Sequence, residues 1–371
     1  MHPLRQLEEI REKRIHRRNR GRRMIAGDVL VFIYFFVAFS AKYIPPSIFW
    51  FPQVAAYTLP ALSLLLVFYT LWLTYCGQLP RALLFGALVI LALVRFLTPF
   101  SLVDGKVDGS QDNLTIVTFN AGGGGPELEE RVHFSNMIEE SGANVVALQE
   151  SQIEMDRTRD GFGSVRQPQL NLLQLGYRHS IPAATYADAV WNPIFVRDST
   201  LTASVIPVST GDDSRVRQLS RTVLDLENTP VAVYNVHLRS FRPLVISNSV
   251  FNPRNWFELI GRVKDDILSR SREATRILEI LSEEERPIVL VGDFNTTPNN
   301  WIYAQFSKKL VDTGRASPFS TKGTFPSGFP VARIDYIFAS HEFSVVNFYI
   351  GNRVYSDHRP VVATLRLSRS E

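Results

Sequence analysis

Between residues 43 and 80 the chain runs for 38 residues without one charged side chain. That run constrains the fold more than any other feature, because a helix of about 20 apolar residues matches the ~30 Å hydrocarbon core of a bilayer. Its most apolar part is 54–75, and two further apolar segments flank it: 24–41, interrupted by Asp28, and 82–100, interrupted by Arg95. Charge is tolerated near the ends of a span, where long side chains reach the interface. Pro45-Pro46 and Gly77-Gln78-Leu79-Pro80 separate the segments as turns. Tyr43, Trp50, Trp72 and Tyr75 suit the two interfaces. The pattern predicts a membrane anchor over 24–100 with three transmembrane helices embedded in the lipid bilayer.

Charge is distributed unevenly. The net charge of +4 conceals a tail, 1–23, that carries +6 and includes Arg17, Arg18, Arg20, Arg22 and Arg23. Such a flank holds the N-terminus in the cytoplasm. Three crossings then place everything after residue 100 on the extracytoplasmic side of the cell membrane. The apolar segments that follow argue against a cleaved signal peptide. Residues 103–371 carry −4, so a nucleic-acid partner stays open without support from net charge. The one cysteine, Cys76, excludes an intrachain disulfide framework and a multi-cysteine zinc site.

Residues 101–112 are polar and glycine-containing and read as a linker. The texture then changes to short apolar runs at 114–119, 145–148, 194–196, 231–236, 288–291, 334–338 and 361–367, each strand-like. Residues 262–281 have apolar positions at helical spacing and predict a surface helix. These make 113–369 one α/β (α+β) domain. Its polar residues of interest cluster at strand ends: Asn120, Glu150, His237, Asp293, Asn295, Asp335, Asp357 and His358. Singly, each suits a cap or a turn. Together, carboxylates and amides are hard oxygen ligands for Mg²⁺ or Mn²⁺, two histidines titrate near neutrality, and Asp335 can orient an imidazole. That inventory suits hydrolysis of a phosphoric ester. The glycines 122–125 lack a following Gly-Lys-Ser/Thr, which excludes a P-loop.

The ordered series Thr-Phe-Asn120, Ala-Leu-Gln-Glu150, Asn-Val-His237-Leu, Gly-Asp293-Phe-Asn295, Arg-Ile-Asp335-Tyr and Ser-Asp357-His358-Arg-Pro resembles the endonuclease/exonuclease/phosphatase superfamily. The N-terminal part is similar to the membrane anchor of some bacterial members. The resemblance implies a four-layer sandwich of two packed mixed β-sheets flanked by helices, with a site at one end of the sheets. It implies Asn120, Glu150 and Asp357 in the metal shell and His358 as general base oriented by Asp335. It implies Asp293 and Asn295 positioning water and phosphate, and His237 contacting the phosphate. The function so implied is a Mg²⁺-dependent phosphodiesterase or nuclease acting on a phosphodiester or phosphomonoester. The alternatives are a phospholipase-C-like or lipid/inositol phosphatase activity and a non-catalytic binding domain. Arg239, Arg333 and Arg359 are candidate phosphate contacts or salt-bridge partners. The aromatic loop 240–256, with Phe241, Phe251, Trp256 and Phe257 close together, suits stacking on bases, insertion into lipid or packing on the domain, of which packing is the expectation. The sequence does not name the substrate or an oligomeric state.

Overall fold

The computed structural model describes residues 25–96, 113–122, 128–151, 153–154, 172–179, 189–190, 192–197, 200–208, 218–240, 254–316, 323–326, 332–352 and 355–368. The basic segment 1–23, the linker 101–112, Gly123–125 of the glycine run and most of the aromatic loop lie outside them. The chain divides into two compact units, Met1–Pro45 with Phe51–Leu97, and Pro46–Trp50 with Thr98–Glu371.

The first unit is helical. Helix α1 is Ile25–Ser40, α2 is Phe51–Ala55, α3 is Leu59–Tyr75 and α4 is Leu79–Phe96; a tight turn at Ala56–Thr58 joins α2 to α3. Proline at the start of α3 needs no partner for its missing N–H, and Gly77 takes a left-handed conformation (φ 70°) after its end. A small core of Phe35, Leu59, Leu66, Leu73, Phe85 and Leu88 holds the helices together. The polar groups are matched. Asp28 near the start of α1 pairs with Arg81 near the start of α4, and Tyr69 of α3 donates to Asp28 and accepts from Arg81 at 2.8 Å. Arg95 at the far end of α4 donates to the Phe39 carbonyl at 2.6 Å and lies over the Phe39 ring. The expectation of three spanning helices is corrected here. Among the described residues only Phe51–Tyr75, 25 residues, is long and apolar enough to cross a membrane. Ala26–Ser40 is a shorter apolar helix, and at 1.5 Å per residue it falls short of the ~30 Å core. The third segment begins its helix at Leu79, which brings Arg81 into the first turn beside Arg95 in the last.

The second unit is α/β. Its elements are β1 Asn113–Asn120, α5 Leu128–Ser141, β2 Val145–Gln149, β3 Ile153–Glu154, β4 Arg178–His179, β5 Ala189–Val190, β6 Ile194–Val196, β7 Thr200–Pro207, β8 Gln218–Leu226 and β9 Thr229–His237. They continue with α6 Arg254–Ser282, β10 Ile288–Asp293, α7 Trp301–Lys309, β11 Val311–Asp312, β12 Asp335–Ala339, β13 Phe343–Ile350 and β14 Val361–Leu367. Two six-stranded mixed sheets form, in the orders β13-β14-β1-β2-β6-β4 and β11-β12-β10-β9-β8-β7. β1 and β2 run parallel, as do β9 and β10, while β14 and β12 run antiparallel to their neighbours.

Strand alternation sorts the side chains into layers. Ile116, Ala147, Val233, Val291, Ile337 and Ala363 fill the space between the sheets. The opposite parity on the first sheet, Val117, Phe119, Val146 and Leu148, packs on Phe134 and Ile138 of α5. On the second sheet Tyr234, Leu290 and Phe338 pack on Ala274 and Ile277 of α6 and on Tyr303 and Phe306 of α7. All seven runs read as strands in the sequence are strands.

Candidate active site

The inter-sheet layer is apolar in its middle and polar at one end. One rung from that end, Gln149 of β2 donates to Thr118 of β1 at 3.0 Å and to Asn235 of β9 at 2.6 Å, and Asn235 donates to the Leu148 carbonyl at 2.8 Å. The next residues of the same parity are Asn120, His237, Asp293 and Asp335. The parallel strands β1, β9 and β10 finish at this end, and the antiparallel strand β12 starts here. In register, Asp293 lies between His237 and Asp335, and Asn120 pairs with Gln149, the residue before Glu150. Asp357 and His358 enter from the turn before β14.

The contacts converge on Oδ2 of Asp293, a side chain 1% exposed. Asn120 Nδ2 donates to it at 3.0 Å and Asn295 Nδ2 at 3.2 Å. Nε2 of His237 lies 3.6 Å away and Nε2 of His358 3.8 Å. Asn120 Nδ2 also reaches Glu150 at 3.4 Å, and His237 Nε2 lies 3.7 Å from the same carboxylate. Nδ1 of His358 contacts Asp335 at 2.9 Å, and Phe325 packs on its ring with centroids 4.9 Å apart. The Ser356 hydroxyl donates to the Asn120 carbonyl at 2.7 Å and accepts from the His358 N–H at 3.0 Å, tying the turn to β1.

The backbone is unusual at three points of this site. Glu150 and Asn295 hold φ near 54° and 49°, a left-handed region that costs a residue other than glycine about 1 kcal/mol or more. Gly292 has φ 137°, and a Cβ there would lie 1.9 Å from the Val236 carbonyl oxygen. Close approach of β10 to β9 therefore requires glycine before Asp293. Asn295 is held by its own side chain on the Leu238 carbonyl at 2.9 Å and by Arg270 of α6 on its carbonyl.

Electrostatically the site is short of positive charge. Burial and the neighbouring Asp335 raise Asp293, against the pull of His358 and His237. Burial disfavours the charged His358, but Asp335, Asp293 and Asp357 outweigh it and push the imidazole up to about 10. A buried carboxylate pushed towards its protonated form, as Asp293 is, is what a divalent cation relieves. The carboxylate oxygens of Glu150, Asp293 and Asp357 are hard donors of the kind Mg²⁺ or Mn²⁺ takes, while the Asn120 amide oxygen accepts from the Gly122 N–H at 3.0 Å. Asp293, Asp335 and His358 also form a buried group whose ligand atoms lie within 4.8 Å of one another.

All eight residues singled out in the sequence fall at this end of the sheets. Asp357 is exposed, with Oδ1 3.1 Å from where a Cβ on Gly122 would lie. The flanking arginines behave differently. Arg333 is buried in an ion pair with Asp312, and Arg239 pairs with Asp266 at 2.8 Å. Burial works against the Arg333 charge, but Asp312 outweighs it and raises the pKa. Both arginines join elements of the fold, and Arg359 is tied through its backbone N–H to the Thr324 carbonyl. Gln149, Asn235, Ser356 and Arg270 were given no role in the sequence. Polar side chains set inside otherwise apolar strands were the signal for the first two.

The sequence matches the Endonuclease/Exonuclease/phosphatase family over residues 117–358, and the chain belongs to that family. Members are typically phosphoester hydrolases that use divalent metals. No curated protein matches the chain. Similar solved structures include an endonuclease/exonuclease/phosphatase from Beutenbergia cavernae, 20% identical over 69% of this chain and 72% of that one, with a TM-score of 0.47. A family protein from Leptotrichia buccalis is 17% identical over 68% of this chain and 100% of its own, with a TM-score of 0.48. The mannosyl-6-phosphatase of Bacteroides thetaiotaomicron is 19% identical over 68% of this chain and 99% of its own, with a TM-score of 0.47.

Proposed function

We propose that the protein is a membrane-tethered, divalent-cation-dependent hydrolase of phosphoric esters. The observation that carries this reading is the meeting of two histidines and two amides at the buried carboxylate oxygen Oδ2 of Asp293. Glu150 and Asp357 would hold the cation, with Asn120 joining them once its amide turns to present the oxygen in place of Nδ2. A bound Mg²⁺ or Mn²⁺ would supply positive charge to a phosphoryl oxygen and weaken the field that keeps His358 protonated. Asp335 fixes the tautomer of His358 through Nδ1, leaving Nε2 to take a proton from water. Asn295 and Asp293 orient that water and the phosphoryl group. His237, between Glu150 and Asp293, donates to a phosphoryl or leaving-group oxygen.

The tether is supported by the helical segment. Of the large apolar side chains exposed among the described residues, all but five lie within 25–96, as expected where lipid replaces water. The basic segment 1–23 favours a cytoplasmic N-terminus. One crossing by Phe51–Tyr75 and three crossings give the same sidedness, with the hydrolase unit extracytoplasmic. Reporter fusions after residue 103 should be active only outside the cytoplasm; cytoplasmic activity overturns the sidedness.

The metal assignment is tested by titrating Mg²⁺ against phosphodiester turnover. Glu150→Gln should raise the concentration needed by about 10–100-fold. Unchanged Mg²⁺ dependence moves the cation to the Asp293–Asp335–His358 group, and chelator-resistant turnover overturns the reading.

A further inference from the structure

Helix α6 outruns the core it packs on. From Asp266 onward it buries side chains in every turn, among them Ile267, Arg270, Ala274, Ile277 and Leu281. Between Trp256 and Asp265 it buries none. The apolar stripe nevertheless continues: Trp256, Ile260 and Val263 keep the spacing that leads onto Ile267. Trp256 is 54% exposed, Phe257 85% and Ile260 48%. These are three of the five large apolar residues exposed among the described residues from 113 onward. Phe257, expected to pack on the domain, is instead exposed, and about half of Trp256 is exposed beside it.

We propose that this projecting end of α6 docks on the surface of a lipid bilayer, so that the substrate is a phosphoester carried on a lipid. The substrate half rests on the hydrolase reading above. Three observations select lipid as the occupant. The stripe mixes aromatic with aliphatic side chains, as an interfacial helix does, and its polar flank is balanced, with Arg262 paired to Glu258 and Lys264 beside Asp265, so that it suits a lipid surface without needing an anionic partner. Base stacking asks for aromatic platforms in a cationic groove, whereas Ile260 and Val263 cannot stack and residues 103–371 carry −4. The chain also brings its own apolar helices, and the 16 residues between Phe96 and Asn113 reach at most ~55 Å. The same helix meets the site directly. Arg270 donates to the carbonyls of Arg239 and Asn295, and Glu273 accepts from the Arg239 N–H at 2.9 Å. A docked α6 is thus bonded directly to the strand end after His237 and to the turn after Asp293.

The test uses the full chain in nanodiscs of phosphatidylcholine and phosphatidylglycerol. Cys76→Ser removes the one native cysteine, and a nitroxide is placed through Phe257→Cys or, as control, Glu279→Cys at an exposed position of the same helix. The label at 257 should collide with oxygen in preference to a nickel chelate, and the label at 279 should show the reverse. Equal water access at both positions overturns the docking. So does protection of 257 from both probes, which means cover by protein, or protection that appears only with an added oligonucleotide. Separately, serine at all three of Trp256, Phe257 and Ile260 should lower turnover of a lipid phosphoester in the disc by about tenfold or more. Turnover of a water-soluble ester should stay within about twofold. Equal loss on both substrates, or soluble turnover without lipid turnover in the wild type, overturns the substrate class. If nothing is hydrolysed, the hydrolase reading fails while the label at 257 still decides the docking.

Discussion

Asp335→Asn removes one charge from the site and almost no volume. Asp335 meets Nδ1 of His358 at 2.9 Å, and the ring is only 7% accessible. Burial by itself drives the imidazole towards neutrality. The charge and hydrogen bond of Asp335, with Asp293 and Asp357, more than reverse this, so His358 sits at about 10 rather than 6.5. That preference for the imidazolium is on the order of 5 kcal/mol. Because the folded value is the higher one, its stabilisation of the metal-free protein is complete below pH 6.5 and is lost as pH rises through about 10. In Asp335→Asn the two largest favourable influences go while the burial penalty stays. The proton affinity of His358 should then fall by about 10–1000-fold, and the stability loss should move to lower pH. Carbon-13 NMR of the labelled histidines, seven in the chain, follows the titration, with His358→Gln assigning the resonance. Metal-supported turnover should drop by about 10²–10⁴ because the base loses its orienting partner. A wild-type His358 that titrates near 6.5, or a variant with an unchanged titration and full turnover, refutes the reasoning.

Three further outcomes concern the frame around the site. Gly292→Ala should destabilise the α/β unit by about 2–4 kcal/mol, seen in denaturant melts, because its Cβ meets the Val236 carbonyl; a change within ~0.5 kcal/mol contradicts the close approach. Asn235→Leu should cost about 2–4 kcal/mol by stranding Gln149 and the carbonyls it bonds between the sheets, and a neutral effect would mean that the polar rung is dispensable. Glu284 is half-buried, which works against its charge, yet Arg221, Tyr234 and Arg286 hold its carboxyl down to about 2. Its stabilisation is present above about pH 4.5 and lost as pH falls through about 2. The melting-temperature gap between wild type and Glu284→Gln should therefore narrow towards pH 2, and a constant gap contradicts the pairing.

Much of the site was legible because its residues terminate strands. A short apolar run ending in Asn120, His237 or Asp293 marks both the strand and the end at which it stops, and parallel neighbours bring those ends together. Parity was equally available: Val233, Asn235 and His237 alternate on one face, as do Val289, Val291 and Asp293. What could not be read was tertiary. β7, β8 and β13 carry mixed polar faces that dilute the alternation, and β3, β4, β5 and β11 are only two residues long. Arg333 and Arg239 stand beside motif residues in the sequence, and only the fold shows that Asp312 and Asp266 claim them. The three apolar segments differ in helical length, which hydrophobicity alone did not reveal.

The most direct test is turnover by the full chain on a panel of phosphomonoesters and phosphodiesters that includes nucleic acid and lipid substrates. Each is run with Mg²⁺, with Mn²⁺ and with chelator, and His358→Ala is run alongside. The account expects hydrolysis that needs the cation and falls by about 10³ or more in a folded His358→Ala. Equal rates in the two proteins, turnover that survives the chelator, or no hydrolysis of any ester would contradict it.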